Sequence, residues 1–257
     1  MTMPRFTVSF FEEFPSQENL LKLRLVDFPT KLYLASKSYK EFLSIKNLAK
    51  KLNKNLKEVI WWPVLEKKDG YWISPFANPS AMRKLCSSLQ DVNNDVMLDL
   101  ELPIYKSLIV KNLFWFGRNK RLLQGCISNI LKHNKVYTAE YLCSPHRNSI
   151  LRRFGLSLNP AKHGSFMIKM FYSSMHDYNL RKIENFLKQY VKMYGKNFLL
   201  GLGVIARGVN NNENLLSPEG LERDLEFAKS LGVRKVIIFR LGGLNKKYVR
   251  AIDSVIE

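Results

Sequence analysis

The sequence predicts a single (β/α)8 barrel of α/β class with eight parallel strands, formed by residues 1–257 as one domain. Three observations predict it. Eight short runs rich in β-branched and aromatic residues recur along the chain, each followed by a stretch of helical spacing, and no linker, low-complexity tract or short repeat interrupts them. Alternating strands and helices imply parallel strands joined by right-handed crossovers, and eight such units imply closure rather than an open sheet. The length fits, since barrels of this type commonly run to about 250 residues.

In chain order the strands are expected at 6–11, 31–36, 58–63, 96–101, 135–140, 166–172, 198–206 and 234–240. Helix starts are marked by Ser16 before Gln17-Glu18-Asn19, by Ser38 before Tyr39-Lys40-Glu41, and by Ser217 with Pro218 at the first helical position. A short hydroxyl side chain there can accept a backbone N–H that the first turn leaves without a partner. Gly195 and Gly232 supply stops, because glycine tolerates the positive φ at a helix C-terminus. The segment 103–133 is longer than one ordinary helix and is expected to begin irregularly, and 66–81 reads as an ordered loop after strand 3.

A composition of 46% hydrophobic and 12% aromatic residues supplies enough apolar surface for a sizeable core. The net charge is +19, from 41 Lys plus Arg against 22 Asp plus Glu. That balance makes anionic partners worth testing, nucleic acid among them, yet the lysines at 46–57, 182–196 and 246–247 fall mostly at helix-face spacing, as a solvated surface would have them. Cys86, Cys126 and Cys143 are an odd set with no CxxC pair, so a reducing interior is expected. The first residues lack a basic segment followed by an apolar run, and no other stretch is long and apolar enough to span a bilayer. A cytoplasmic protein with no membrane partner is the expectation. Nucleophile-elbow, P-loop and dinucleotide motifs are absent, and Gly201-Leu202-Gly203 falls inside strand 7, so no cofactor is expected.

Barrel active sites form at the C-terminal ends of the strands, and here those ends are polar: Glu12-Glu13, Ser36-Lys37, Asp99 and Glu101, Glu140-Tyr141, Tyr172-Ser173, Arg207 and Arg240. Asp99 and Glu101 stand two apart on strand 4 and so project to one face, while Leu98, Leu100 and Leu102 face the helices. Two neighbouring carboxylates raise one pKa and can hold a proton between them, which suits acid and base roles. The structural alternative is a buried ion pair of Asp99 with Arg240 or Lys169 and a rim contact for Glu101.

Met97-Leu98-Asp99-Leu100-Glu101 on strand 4 and Met170-Phe171-Tyr172 on strand 6 resemble motifs of the chitinase-type family 18 glycoside hydrolases. That family carries DxxDxDxE on strand 4 and MxY on strand 6. The resemblance implies Glu101 as proton donor to the glycosidic oxygen, Asp99 as its support and Tyr172 beside the substrate acetamido group. The two earlier acids of the run fall on Asn94 and Met97, and the acid after the tyrosine falls on Ser173.

A carbohydrate pocket would further draw on Glu140, Arg240 and Glu12, and on the flat rings of Trp62 and Trp72. By strand alternation one of Trp61 and Trp62 must face the helix layer. A second reading starts from Arg207-Gly208 and Arg240-Leu241-Gly242-Gly243, because loops after strands 7 and 8 of many barrels bind phosphate through backbone amides. It predicts a sugar-phosphate or nucleic-acid ligand, unless Gly242-Gly243 only turns the chain. A metal held by Glu140, His176, Asp99 and Glu101 is disfavoured by the single well-placed histidine, and no metal site is expected.

Overall fold

The computed structural model of the chain describes residues 6–256. Eight parallel strands follow one another in chain order around a closed barrel. They are β1 (Thr7–Glu12), β2 (Thr30–Ser36), β3 (Leu56–Pro63), β4 (Val96–Asp99), β5 (Val136–Tyr141), β6 (Phe166–Phe171), β7 (Phe198–Gly203) and β8 (Lys235–Phe239). The helices between and after them are α1 (Gln17–Leu21), α2 (Tyr39–Leu52), α3 (Pro79–Ser88), α4 (Ser107–Lys111), α5 (Phe116–Ile130), α6 (Pro145–Arg153), α7 (Pro160–His163), α8 (Leu180–Tyr194), α9 (Pro218–Ser230) and α10 (Lys246–Ile256). Every expected strand is present, with its ends moved by a few residues.

The capping residues act as expected. Ser16 accepts from the Asn19 N–H, and Ser217 from the Gly220 N–H behind Pro218. Ser38 accepts from the Glu41 N–H at 3.2 Å while the Glu41 carboxylate reaches back to the Lys37 N–H at 3.0 Å. Gly195 and Gly232 take φ of 49° and 78° where the helices stop. The long segment after β4 splits into α4, a 3-10 turn over Leu113–Trp115 and α5.

Two strands end sooner than their residue types predict, for different reasons. β7 stops at Gly203, whose φ is +155° and where a Cβ would stand 2.7 Å from the Phe239 carbonyl oxygen. Beyond it the Val204 N–H goes to the Ser174 hydroxyl at 3.1 Å. β4 stops at Asp99, and the Leu102 N–H goes to a side chain, the Tyr141 hydroxyl, rather than to a strand partner.

Internal contacts cluster into two units, one holding the chain up to Ala35, Leu43–Val59 and Lys169 onward, the other Ser36–Phe42 and Ile60–Ile168. In the first, β1 pairs with β2 and β8, and β7 with β8, so Phe10 lies opposite Leu32 on one side and Ile238 on the other. The face of β7 and α8 is aromatic, with the Tyr190 and Phe198 rings stacked at 5.5 Å. In the second unit β4 pairs with β5, and Trp61 packs against Tyr39 and Phe42 of the α2 region at 5.2 and 6.1 Å. Trp61 is therefore the member of its pair in the helix layer, where its Nε1–H donates to Ser36 Oγ at 2.9 Å.

Candidate active site

Strand register in the second unit brings an acid and a phenol together. Asp99 lies opposite Ala139, so alternation sets Asp99 and Tyr141 on one face of the β4–β5 pair. Asp99 is buried, and Glu101 and Tyr141 are half-buried. The Tyr141 hydroxyl accepts the Leu102 N–H at 3.1 Å and is hydrogen-bonded to the Glu101 carboxylate. A phenol that accepts an amide proton still has its own to give, so Tyr141 donates to Glu101. Burial first, then the Glu101 charge, hold this phenol well above its usual range, and the Asp99 charge pushes the same way. Tyr141 is thus a fixed proton-bearing donor, and one acid of the strand-4 pair has an oriented partner.

Other expected site residues of this unit are placed differently. Glu140 is fully buried and sits with Thr138 on the face opposite Tyr141, where its Oε1 accepts from Thr138 Oγ1 at 2.7 Å and from the Leu158 N–H at 2.9 Å. It fastens β5 to the chain before α7. Trp62 is buried. Trp72 is half-buried, with its ring edge-on to Tyr71 at 5.8 Å, in a loop held by the Asn112 and Asn119 amides through the carbonyls of Phe76, Pro75 and Ala77.

In the first unit Glu12 and Arg240 meet. Glu12 is wholly buried, and its Oε1 accepts from Arg240 Nη1 at 3.0 Å, from the Phe14 N–H at 2.8 Å and from Asn19 Nδ2 at 3.2 Å, while Oε2 accepts from the Gly242 N–H at 2.7 Å. Burial raises its pKa; the Arg240 charge and the hydrogen bonds from Phe14, Gly242 and Arg240 oppose the rise. Arg240 also donates from Nε to the Arg207 carbonyl at 2.9 Å and lies 4.8 Å over the Phe14 ring. The amide that a phosphate would have to use is held by a carboxylate of the protein itself. Arg207 is exposed, and Tyr172 lies 5.7 Å from the Phe239 ring. Lys169 is fully buried with Nζ 5.3 Å over the Tyr190 ring.

Three features escaped the sequence reading. Ser173 donates to Asp224 of α9 at 2.5 Å, and burial raises that carboxyl to about 6. Glu13 and Glu213, both buried, have carboxylate oxygens 2.8 and 3.1 Å from where a Cβ on Gly208 would stand, so the two acids converge on that glycine and a larger residue would make them shift. Cys86 and Cys126 are hydrogen-bonded thiol to thiol although forty residues separate them. No spacing signal marks any of these, because each joins separate elements. Among the described residues no group of three or more His, Cys, Asp or Glu could hold a metal ion, and no helix is long and apolar enough to cross a membrane.

No protein-family model matches the chain, and no curated protein matches it by sequence. Solved structures do match by fold. A family 18 chitinase from Cycas revoluta in complex with (GlcNAc)3 superposes with a TM-score of 0.62 at 10% identity, covering 97% of this chain and 99% of that one. The glycoside hydrolase domain of PgaB from Bordetella bronchiseptica gives 0.56 at 12% identity over 99% of both chains. A family 18 N-acetylglucosaminidase from Paenibacillus barengoltzii gives 0.55 at 10% identity over 97% of this chain and 99% of that one. The chain has the fold of these glycoside hydrolase barrels, the group to which the strand-4 and strand-6 motifs also point.

Proposed function

We propose that this barrel acts on a carbohydrate containing N-acetylated amino sugars, with Glu101 as proton donor to the glycosidic oxygen and Asp99 as its electrostatic partner. The observation that carries the reading is the hydrogen bond between Tyr141 and Glu101, with Asp99 on the same face. A general acid needs a fixed orientation and a neighbour that keeps its proton affinity high. Tyr141, tied to the Leu102 N–H, supplies the orientation, and the buried carboxylate of Asp99 on the same face as Tyr141 is the proposed neighbour. The sugar class is supported by the fold likeness to a chitinase in complex with (GlcNAc)3.

In this reading Asp99 works without the acids that Asn94 and Met97 replace, so Tyr141 carries part of the positioning. Trp72, half-buried in the same unit as Glu101, is the proposed sugar-facing ring. Glu12, Arg240 and Glu140 act through the scaffold instead. The test is a panel of fluorogenic glycosides. Release of fluorophore from N-acetylglucosamine oligomers, with maltooligosaccharides untouched, is the expected result. Turnover of the maltose series alone would overturn the sugar class, and turnover of neither would overturn the enzymatic reading.

A further inference from the structure

Residues 102–168 hold eleven Lys or Arg and a single acid, Glu140, which is fully buried. This stretch of the second unit therefore carries +10 of the chain's +19 and shows no negative side chain to solvent. The same stretch holds half of the large apolar side chains that the described residues expose. Val110 is 75% exposed, Leu113 59%, Phe114 98% and Trp115 44%, and Ile150 and Phe154 on and beside α6 are exposed to similar degree as Trp115.

These two sets lie together. Phe116, at the start of α5, is 6.1 Å from the Phe154 ring, and Lys120 Nζ donates to the Arg153 carbonyl at 2.7 Å, so the start of α5 and the end of α6 form one surface. Arg118 lies 5.6 Å over the Trp115 ring. Ile150 is one helical turn before Phe154 and shares its side of α6. The outcome is an apolar tip led by Phe114 and Trp115, with Arg118 over the Trp115 ring, Lys111 one turn before Phe114, and Lys120 and Arg153 at the contact of α5 with α6.

We propose that this surface docks the protein peripherally on an anionic lipid membrane. Aromatic and aliphatic side chains that enter the acyl boundary, beside cations that meet acidic headgroups, are the two requirements of an interfacial anchor. A second copy of the chain is a poor occupant, because two such faces would oppose like charges. A nucleic acid would use the cations and stack bases on the rings, but it offers nothing to Val110 and Leu113. Exposed aliphatic side chains are satisfied by an apolar phase. The expectation of no membrane partner rested on the lack of a spanning segment, and peripheral contact needs none.

Sedimentation with vesicles tests this, using neutral phosphatidylcholine and the same lipid with about a third phosphatidylglycerol. Binding at least tenfold tighter to the anionic vesicles is expected. Phe114→Ser, at a side chain that touches almost nothing in the protein, should weaken that binding about tenfold with unchanged thermal stability, as loss of one buried aromatic implies. Lys111→Glu with Arg118→Glu should abolish it. No binding to anionic vesicles at low salt would overturn the proposal. So would vesicle binding that is indifferent to Phe114→Ser, and an oligonucleotide of equal charge displacing the vesicles in that case would identify a polyanion surface instead.

Discussion

Glu12 and Arg240, 228 residues apart in the chain, meet at 3.0 Å. The pair ties the end of β1 to the residue after β8, and the Gly242 amide adds a second tie from the same loop. The carboxylate is wholly buried and the guanidinium side chain 13% exposed, so removing either partner leaves the other desolvated. Glu12→Ala and Arg240→Ala should each cost about 3–5 kcal/mol. The double variant should lose clearly less than the sum of the two, because the residues act as one unit. Urea unfolding of the three variants measures this. Additive losses would show that the two side chains stabilise the barrel independently.

Tyr141→Phe keeps the ring and removes the oxygen that joins Leu102 to Glu101. The expected cost in stability is about 1–2 kcal/mol, from an amide and a carboxylate that each lose a partner. If the phenol orients the proton donor, kcat on an N-acetylglucosamine oligomer should fall about ten- to a hundredfold with KM little changed. A variant with full kcat would remove Tyr141 from the site.

The pH dependence of stability has a signature in Asp224. Its carboxyl is raised from 3.8 to about 6, by burial first, with the Ser173 hydrogen bond and the Arg223 charge opposing. The folded chain therefore holds this proton more tightly than the unfolded chain. The stability it contributes is fully present below about pH 4 and is lost as pH rises through about 6, a change of about 2–3 kcal/mol. Asp224→Asn keeps an oxygen that can accept from Ser173 and carries no charge. It should raise the unfolding midpoint at about pH 8 and leave it unchanged near pH 4. An equal gain at both pH values would show that the effect is not one of protonation.

The strands were legible in the sequence because apolar runs of strand length alternate with helical spacing, and Asp99 and Glu101 were legible because both stand at the end of one such run. Tyr141 was legible only as an aromatic at a strand end. Its role depends on the β4–β5 register, which sets Asp99 beside Ala139 and which no local pattern encodes. Glu12 read as a pocket acid because its partners, Arg240 and Gly242, are brought to it only by barrel closure. Glu140 read as a mouth residue because it stands at the end of strand 5, but alternation puts it with Thr138 on the face opposite Tyr141. The basic surface was legible in principle, since 102–139 holds no acid at all, but the charge was weighed over the whole chain, where the asymmetry averages out.

In the proposed mechanism Glu101 delivers the proton in a site oriented by Tyr141 with Asp99 beside it. Glu101→Gln keeps shape and polarity and cannot act as the acid. Hydrolysis of a fluorogenic chitotrioside by the wild type and by this variant, with thermal unfolding of both, measures it most directly. Loss of turnover by about two to four orders of magnitude, with an unfolding midpoint within about 2 °C of the wild type, is expected. A variant that turns over substrate at the wild-type rate, or that loses activity only together with its fold, would contradict it.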